Sequence, residues 1–215
     1  MQDTGTCTSG FVFEIANGNT YLSTAGHCAP NQGSNATVAI GGESSGPAGT
    51  YQYIPASNRF FNDSTADVVL VGMANSEASN LVDRSHGTKD HPMTVRQVID
   101  NYPIGSRVCI SAKVIQHRCG TVTDSSRSTV NTAGIRLLNQ VEWQWTDTRN
   151  LTSLGGSSGG PLFDGNVALG THSRSSISRT GGISTFVMAG SKLGQIQQQL
   201  ASQGFIGAQV GTAAV

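Results

Sequence analysis

Short runs of strand-forming residues, each closed off by turn residues, recur along almost the whole chain, and only one segment has helical spacing. Residues 10–16 are rich in β-formers, Asn17-Gly18 follows, and residues 20–24 read as the returning strand. Asn-Gly between two such runs is a strong hairpin signal, because both residues tolerate the backbone of a tight turn. Further strands are expected at 36–40, 50–54, 67–72, 107–115, 120–123, 140–145, 161–163, 167–171 and 183–188. Strands this short and this frequent imply a sandwich or a barrel, and the chain is therefore all-β. The one helix is predicted over 191–203, with Ser191 as its N-cap and Leu193, Ile196, Gln197 and Leu200 at helical spacing. Its apolar stripe is narrow, which predicts a surface position. Residues 75–101 show no alternation and read as a crossover between two halves.

Composition narrows the function classes. Of 215 residues, 37% are hydrophobic and only 12% charged, the balance of a packed core and not of a disordered chain. The formal net charge is zero, so a phosphate backbone would find no electrostatic footing, and nucleic acid is excluded as a partner. No apolar run is long enough to span a bilayer. Residues 1–5 carry no basic patch followed by an apolar stretch, so either a leader has been removed or none was attached. Four cysteines stand at 7, 28, 109 and 119, with no C-x-x-C pair. They are either buried thiols or two disulfides in an oxidising compartment, and local order leaves all three pairings open.

Three segments carry the chemistry. They are Leu22-Ser23-Thr24-Ala25-Gly26-His27-Cys28, Thr65-Ala66-Asp67-Val68-Val69-Leu70 and Gly155-Gly156-Ser157-Ser158-Gly159-Gly160-Pro161. Acyl transfer to a serine needs a base for the hydroxyl proton and a carboxylate to hold that base in one tautomer. It also needs backbone N–H donors aimed at the developing oxyanion, which a glycine-rich turn can supply. Asp before a β-run is commonplace, and Asp63 is the fallback for Asp67. Ser157 competes with Ser158. A Gly-Ser-Gly run is often a linker, but a linker would not lead into Pro161-Leu162-Phe163 and a strand.

These motifs resemble the trypsin-like serine proteases, and most closely their secreted bacterial branch, the streptogrisins and glutamyl endopeptidases. Thr24-Ala25-Gly26-His27-Cys28 is similar to the histidine motif, and Gly156-Ser157-Ser158-Gly159-Gly160-Pro161 to the serine motif with one change. Val108-Cys109, Cys119-Gly120-Thr121-Val122-Thr123 and the strand Val167 to Ser173 resemble further parts of that branch. The order His, Asp, Ser is that of chymotrypsin. The resemblance implies two six-stranded antiparallel β-barrels, one in 1–90 carrying the His and Asp, the other in 91–215 carrying the Ser, the specificity pocket and the C-terminal helix. It implies a secreted, extracellular, monomeric endopeptidase acting on polypeptide substrates, without cofactor, metal, nucleic acid or membrane. His27, Asp67 and Ser158 become the triad, since the family's nucleophile immediately precedes Gly-Gly-Pro. The oxyanion hole becomes the N–H groups of Gly156 and Ser158, and the bridges become Cys7–Cys28 and Cys109–Cys119. Ser173 is expected beside Asp67, and Ser173-Arg174-Ser175 along the substrate backbone as an added strand.

One departure matters. Relatives activated by cleavage pair an Asp at the position of Ser157 with a new N-terminal amine, and Ser157 cannot do so. For the pocket, a basic P1 preference would want a carboxylate six residues before the nucleophile, where Thr152 stands. His172, in Gly170-Thr171-His172-Ser173, resembles the histidine that contacts the P1 carboxylate in glutamyl endopeptidases. A preference for Glu, then Asp, is expected, with Thr152, Ser153 and Ser175 offering hydroxyls and Arg174 and Arg179 positive potential. The alternatives are a small apolar or aromatic P1 preference with a structural His172, or an inactive protease-fold binding protein. His86, His91, Asp83 and Asp90 fit no common zinc spacing. Asn35, Asn62 and Asn150 head N-x-S/T sequons.

Overall fold

The computed structural model describes residues 7–29, 37–38, 49–52, 66–73, 81–82, 93–130, 136–148, 151 and 153–211. The expectations for Asp63, Asp83, His86, Asp90, His91 and Thr152, and for the three sequons at Asn35, Asn62 and Asn150, lie outside the described residues.

Two antiparallel sheets make the body. The first contains β1 (Val12–Glu14), β2 (Thr20–Thr24), β3 (Thr37–Val38), β4 (Gly49–Gln52), β5 (Val69–Met73) and β15 (Gln209–Val210), in the spatial order β15-β1-β2-β5-β4-β3. The Asn17-Gly18 hairpin forms as read from sequence, with Phe13 opposite Tyr21. The second sheet is built from β9 (Arg107–Ala112), β10 (Gln116–Val130), β11 (Arg136–Asp147), β12 (Pro161–Asp164), β13 (Val167–Thr180) and β14 (Ile183–Lys192). Strand β12 pairs with both β9 and β13, which closes these six strands into a barrel. A short strand β8 (Gln97–Val98) adds to β13 in parallel, and β6 (Leu81–Val82) pairs with β7 (Met93–Thr94).

The alternation that made these segments legible is what fills the barrel. Val141, Trp143 and Trp145 on β11 and Ser184, Phe186 and Met188 on β14 point inward, two residues apart. Trp145 stacks on Phe186 with ring centroids 4.6 Å apart. Several strands run longer than the sequence suggested. β10 continues to Val130 and β13 to Thr180, because polar residues beyond the apolar stretch still pair across the ladder.

A helix, α1 (Leu193–Ser202), follows β14 directly. The surface position expected for it holds on one face, where Gln198, Ala201 and Ser202 are exposed, but the expectation that it fills no core is corrected. Leu193, Ile196 and Leu200 are fully buried and belong to one core cluster with Phe13 and Leu70 of the first sheet and Phe163 of the second. The stripe is narrow because the opposite face meets water, yet the stripe itself fills a seam between two sheets. Its N-cap is Lys192 and not Ser191. Among the described residues, no helix is long and apolar enough to cross a membrane.

The cysteines form two disulfides, Cys7–Cys28 and Cys109–Cys119. The first joins the chain before β1 to the turn after β2. The second links residues directly opposite each other on β9 and β10.

Candidate active site

His27 lies in a single 3₁₀ turn, Gly26–Cys28, immediately after β2. Asp67 lies two residues before β5, and β5 pairs with β2 so that Thr24 faces Val69. The ladder therefore sets the histidine turn against the aspartate. The His27 Nδ1 is 2.6 Å from Asp67 Oδ2, and the His27 backbone N–H donates to Oδ1 at 2.9 Å. Ser173 Oγ donates to Oδ2 as well. The turn must come close to do this. A Cβ on Gly26 would stand 2.9 Å from Asp67 Oδ1, so no larger residue fits between histidine and carboxylate.

Burial of Asp67 by itself would raise its pKa. The hydrogen bond and charge interaction with His27, the hydroxyl of Ser173 and the His27 backbone N–H outweigh it, and the net shift is downward from 3.8. The carboxylate stays ionised, which is the state that orients an imidazole by its Nδ1–H and stabilises an imidazolium.

Three residues that sequence reasoning missed hold Asp67 from behind. The Asp67 N–H donates to Ser191 Oγ at 2.9 Å, and Ser191 Oγ donates to Gln140 Oε1 at 2.9 Å. The Ala66 N–H donates to Gln199 Oε1 of α1, also at 2.9 Å. Ser191 cannot cap the helix because its hydroxyl serves Asp67. Position in sequence carries no signal for these contacts, since they span 51 to 133 residues.

The serine motif forms a turn whose hydrogen bonds alternate. The N–H groups of Ser157, Gly159 and Gly160 donate to Leu154, His172 and Ser157 carbonyls respectively. Those of Gly156 and Ser158 donate to no acceptor among the described residues. Gly156 and Ser158 are both half-buried, so these two N–H groups, two residues apart, are left open to a ligand or to water. The turn packs on the histidine segment. A Cβ on Gly159, whose φ is +89°, would sit 2.1 Å from the Thr8 carbonyl oxygen and 3.0 Å from Ala25 N. Both the backbone conformation and the space require glycine there. Ser158 itself is half-buried, whereas Ser157 is fully buried.

His172 and Ser173 stand on β13 at a bulge in its pairing with β14, between His172 and Arg174. A bulge re-aims side chains, and here it accompanies the turn of Ser173 toward Asp67. His172 is 1% exposed. Desolvation first, and the neighbouring His27 second, lower its pKa to about 3, against opposing contributions from Asp67 and the Ala189 backbone. Its Nδ1 has no hydrogen-bond partner among the described residues. Arg174 is exposed, Ser175 half-buried and Ser153 exposed. Ser153 Oγ accepts from the Gly155 N–H at 3.1 Å, which leaves its own O–H available to donate. Arg179 donates to the Leu151 carbonyl at 2.6 Å.

The depressed His172 pKa has a consequence for stability. The unfolded chain takes up this proton near pH 6.5 and the folded chain only near 3. Between those values the unfolded state binds more protons, so stability rises with pH and is lost as pH falls. The slope is at most about 1.4 kcal/mol per pH unit for one group. Denaturant titrations between about pH 4 and pH 6 should show the parent losing stability on acidification faster than His172→Leu does. Equal slopes would mean that His172 is protonated in the folded protein.

No protein-family model matches the chain, and no curated protein does. Solved structures do match. One is a glutamic-acid-specific serine protease described as using a histidine triad in substrate binding, at 24% identity and TM-score 0.65, covering 95% of this chain and 93% of that one. Thermobifida fusca Protease A matches at 23% identity and TM-score 0.67, over 96% of this chain and 92% of its own. Nocardiopsis Protease matches at 24% and 0.68, over 97% and 94%. At such identities the likeness is one of fold, and it extends over nearly the full length of both partners: the chain has the chymotrypsin-like fold of the bacterial serine proteases.

Proposed function

We propose that this chain is an extracellular, monomeric serine endopeptidase that cleaves polypeptides through an acyl-enzyme on Ser158. His27 is the general base, Asp67 its orienting carboxylate, and the N–H groups of Gly156 and Ser158 the oxyanion donors. The observation that carries the reading is the pair of unused N–H groups in the serine turn, packed against a histidine segment whose ring is held by a buried carboxylate. Ser158 Oγ would attack the scissile carbonyl as His27 takes its proton. The oxyanion would then be held by donors already in place, with no reorganisation at the moment of reaction. Two disulfides fit an oxidising compartment.

For specificity, the same reading favours Glu, then Asp, at P1. His172 is next to Ser173 in sequence, buried and neutral, with one ring nitrogen unpartnered. A substrate carboxylate would bring the countercharge that burial withholds, so His172 would take up a proton as Glu binds. Peptide substrates varied only at P1 test this. The parent should cleave after Glu faster than after Leu, Phe or Ala. His172→Leu should lower kcat/KM for Glu by about one to two decades, the worth of a charged hydrogen bond, and leave Leu nearly unchanged. Equal cleavage after Leu and Glu in the parent, or an unchanged Glu preference in the variant, would make His172 structural and leave the triad assignment standing.

A further inference from the structure

Two N–H groups can serve one oxyanion only if the peptide planes between them are held fixed, and the hydrogen bonds of the serine turn show what holds them. The plane joining Gly156 to Ser157 is tied at its N–H by the Leu154 carbonyl and at its carbonyl by Thr8 Oγ1, at 2.7 Å. The plane joining Ser158 to Gly159 is tied at its N–H by the His172 carbonyl and at its carbonyl by the Thr8 backbone N–H, at 2.8 Å. The planes that alternate with these carry the unused N–H groups. Thr8 thus grips both of the tied carbonyls, one with its side chain and one with its backbone.

Thr8 is itself fastened on three sides. Its carbonyl accepts from Thr24 Oγ1 at 2.8 Å, its hydroxyl accepts from the Lys113 N–H at 3.1 Å, and its neighbour Cys7 is bonded to Cys28, next to His27. The contacts with Gly156 and Ser158 cross about 150 residues, so they are tertiary in origin. Ser157 offers no ion pair by which an N-terminal amine could fix this turn, and its own hydroxyl has no partner among the described residues.

We propose that Thr8 is a positioning residue, a clamp from the N-terminal segment that sets the oxyanion donors Gly156 and Ser158 and couples them through the Cys7–Cys28 bridge to the histidine turn. The proposal rests on the assignment of those two N–H groups as the oxyanion hole. Thr8→Val keeps the shape and the backbone bond but removes the hydroxyl that serves Gly156 and Lys113. Thr8→Ser keeps the hydroxyl.

The test compares parent, Thr8→Val and Thr8→Ser in steady-state hydrolysis and in amide NMR. Thr8→Val should lose about tenfold in kcat with KM nearly unchanged, since the misplaced donors act only in the transition state. Thr8→Ser should recover most of that loss. The amide signals of Gly156 and Ser158 should shift or broaden in Thr8→Val and not in Thr8→Ser. The clamp is overturned if Thr8→Val keeps kcat within about twofold, if its loss falls on KM, or if Thr8→Ser is equally impaired. Should the parent neither cleave peptides nor react with a fluorophosphonate, the protease assignment fails instead. The amide signals then still decide whether Thr8 holds the turn.

Discussion

Replacing Ser158 with alanine is expected to abolish peptide hydrolysis and fluorophosphonate labelling, with kcat falling by about five to six orders of magnitude. What remains should be the modest acceleration that an intact oxyanion hole and bound substrate can give without a nucleophile. The fold should be unaffected. Ser158 is half-buried, and the bonds that shape its turn are made by its carbonyl and by its neighbours' backbone, none of which alanine removes. A thermal midpoint within a few degrees of the parent is therefore expected, the usual range for such a substitution. Ser157→Ala is the control. Its side chain is buried, and its hydroxyl has no partner among the described residues. If Ser157→Ala were dead and Ser158→Ala active, the register of the motif would be wrong by one residue.

Asp67→Asn should be the next most damaging change, at about four orders of magnitude in kcat. The amide would fit the same space, its oxygen held at the Oδ1 position by the His27 backbone N–H, while the Ser173 hydroxyl, which donates to Oδ2, would have to turn and accept. What changes is the sense of the bond to His27 Nδ1. A carboxylate accepts there and leaves the other ring nitrogen free to take a proton, whereas an amide NH₂ in that place forces the opposite tautomer. The variant also has a stability signature. Because the Asp67 pKa is lowered in the fold from 3.8, its ionised form contributes stability above that value, and the contribution is lost as pH falls through the folded pKa. The parent should therefore show an acid-side loss from this group that Asp67→Asn lacks. Near-parental kcat in Asp67→Asn would remove Asp67 from the mechanism and leave its role structural.

Much of this was legible in the chain because the signals are local. The Asn17-Gly18 hairpin, the alternating residues of β11 and the glycine-rich serine turn each state their conformation within a few residues. The pairing of the four cysteines was not local. It followed from resemblance, and the structure agrees with it. The helix shows in its spacing, and its polar face is exposed as expected, but neither its cap nor the core that its apolar face enters can be read locally. Ser191 looks like a cap in sequence because serine caps helices, and nothing within the neighbouring residues shows that its hydroxyl is taken by Asp67 from another sheet.

By itself, then, the sequence determined where most of the strands lie and which residues could bear a proton or a nucleophile, though not the short strands β6, β7, β8 and β15. The tertiary structure alone decided what surrounds those groups. It placed Ser191, Gln140 and Gln199 behind Asp67 and its strand, sealed His172 away from water, gave Gly26 and Gly159 neighbours too close for a side chain, and brought Thr8 to the serine turn. The reason is physical. Strand and turn preferences act between neighbours along the chain. Desolvation and hydrogen bonding act between neighbours in space, and only the folded chain makes residues 8 and 158, or 67 and 191, into neighbours.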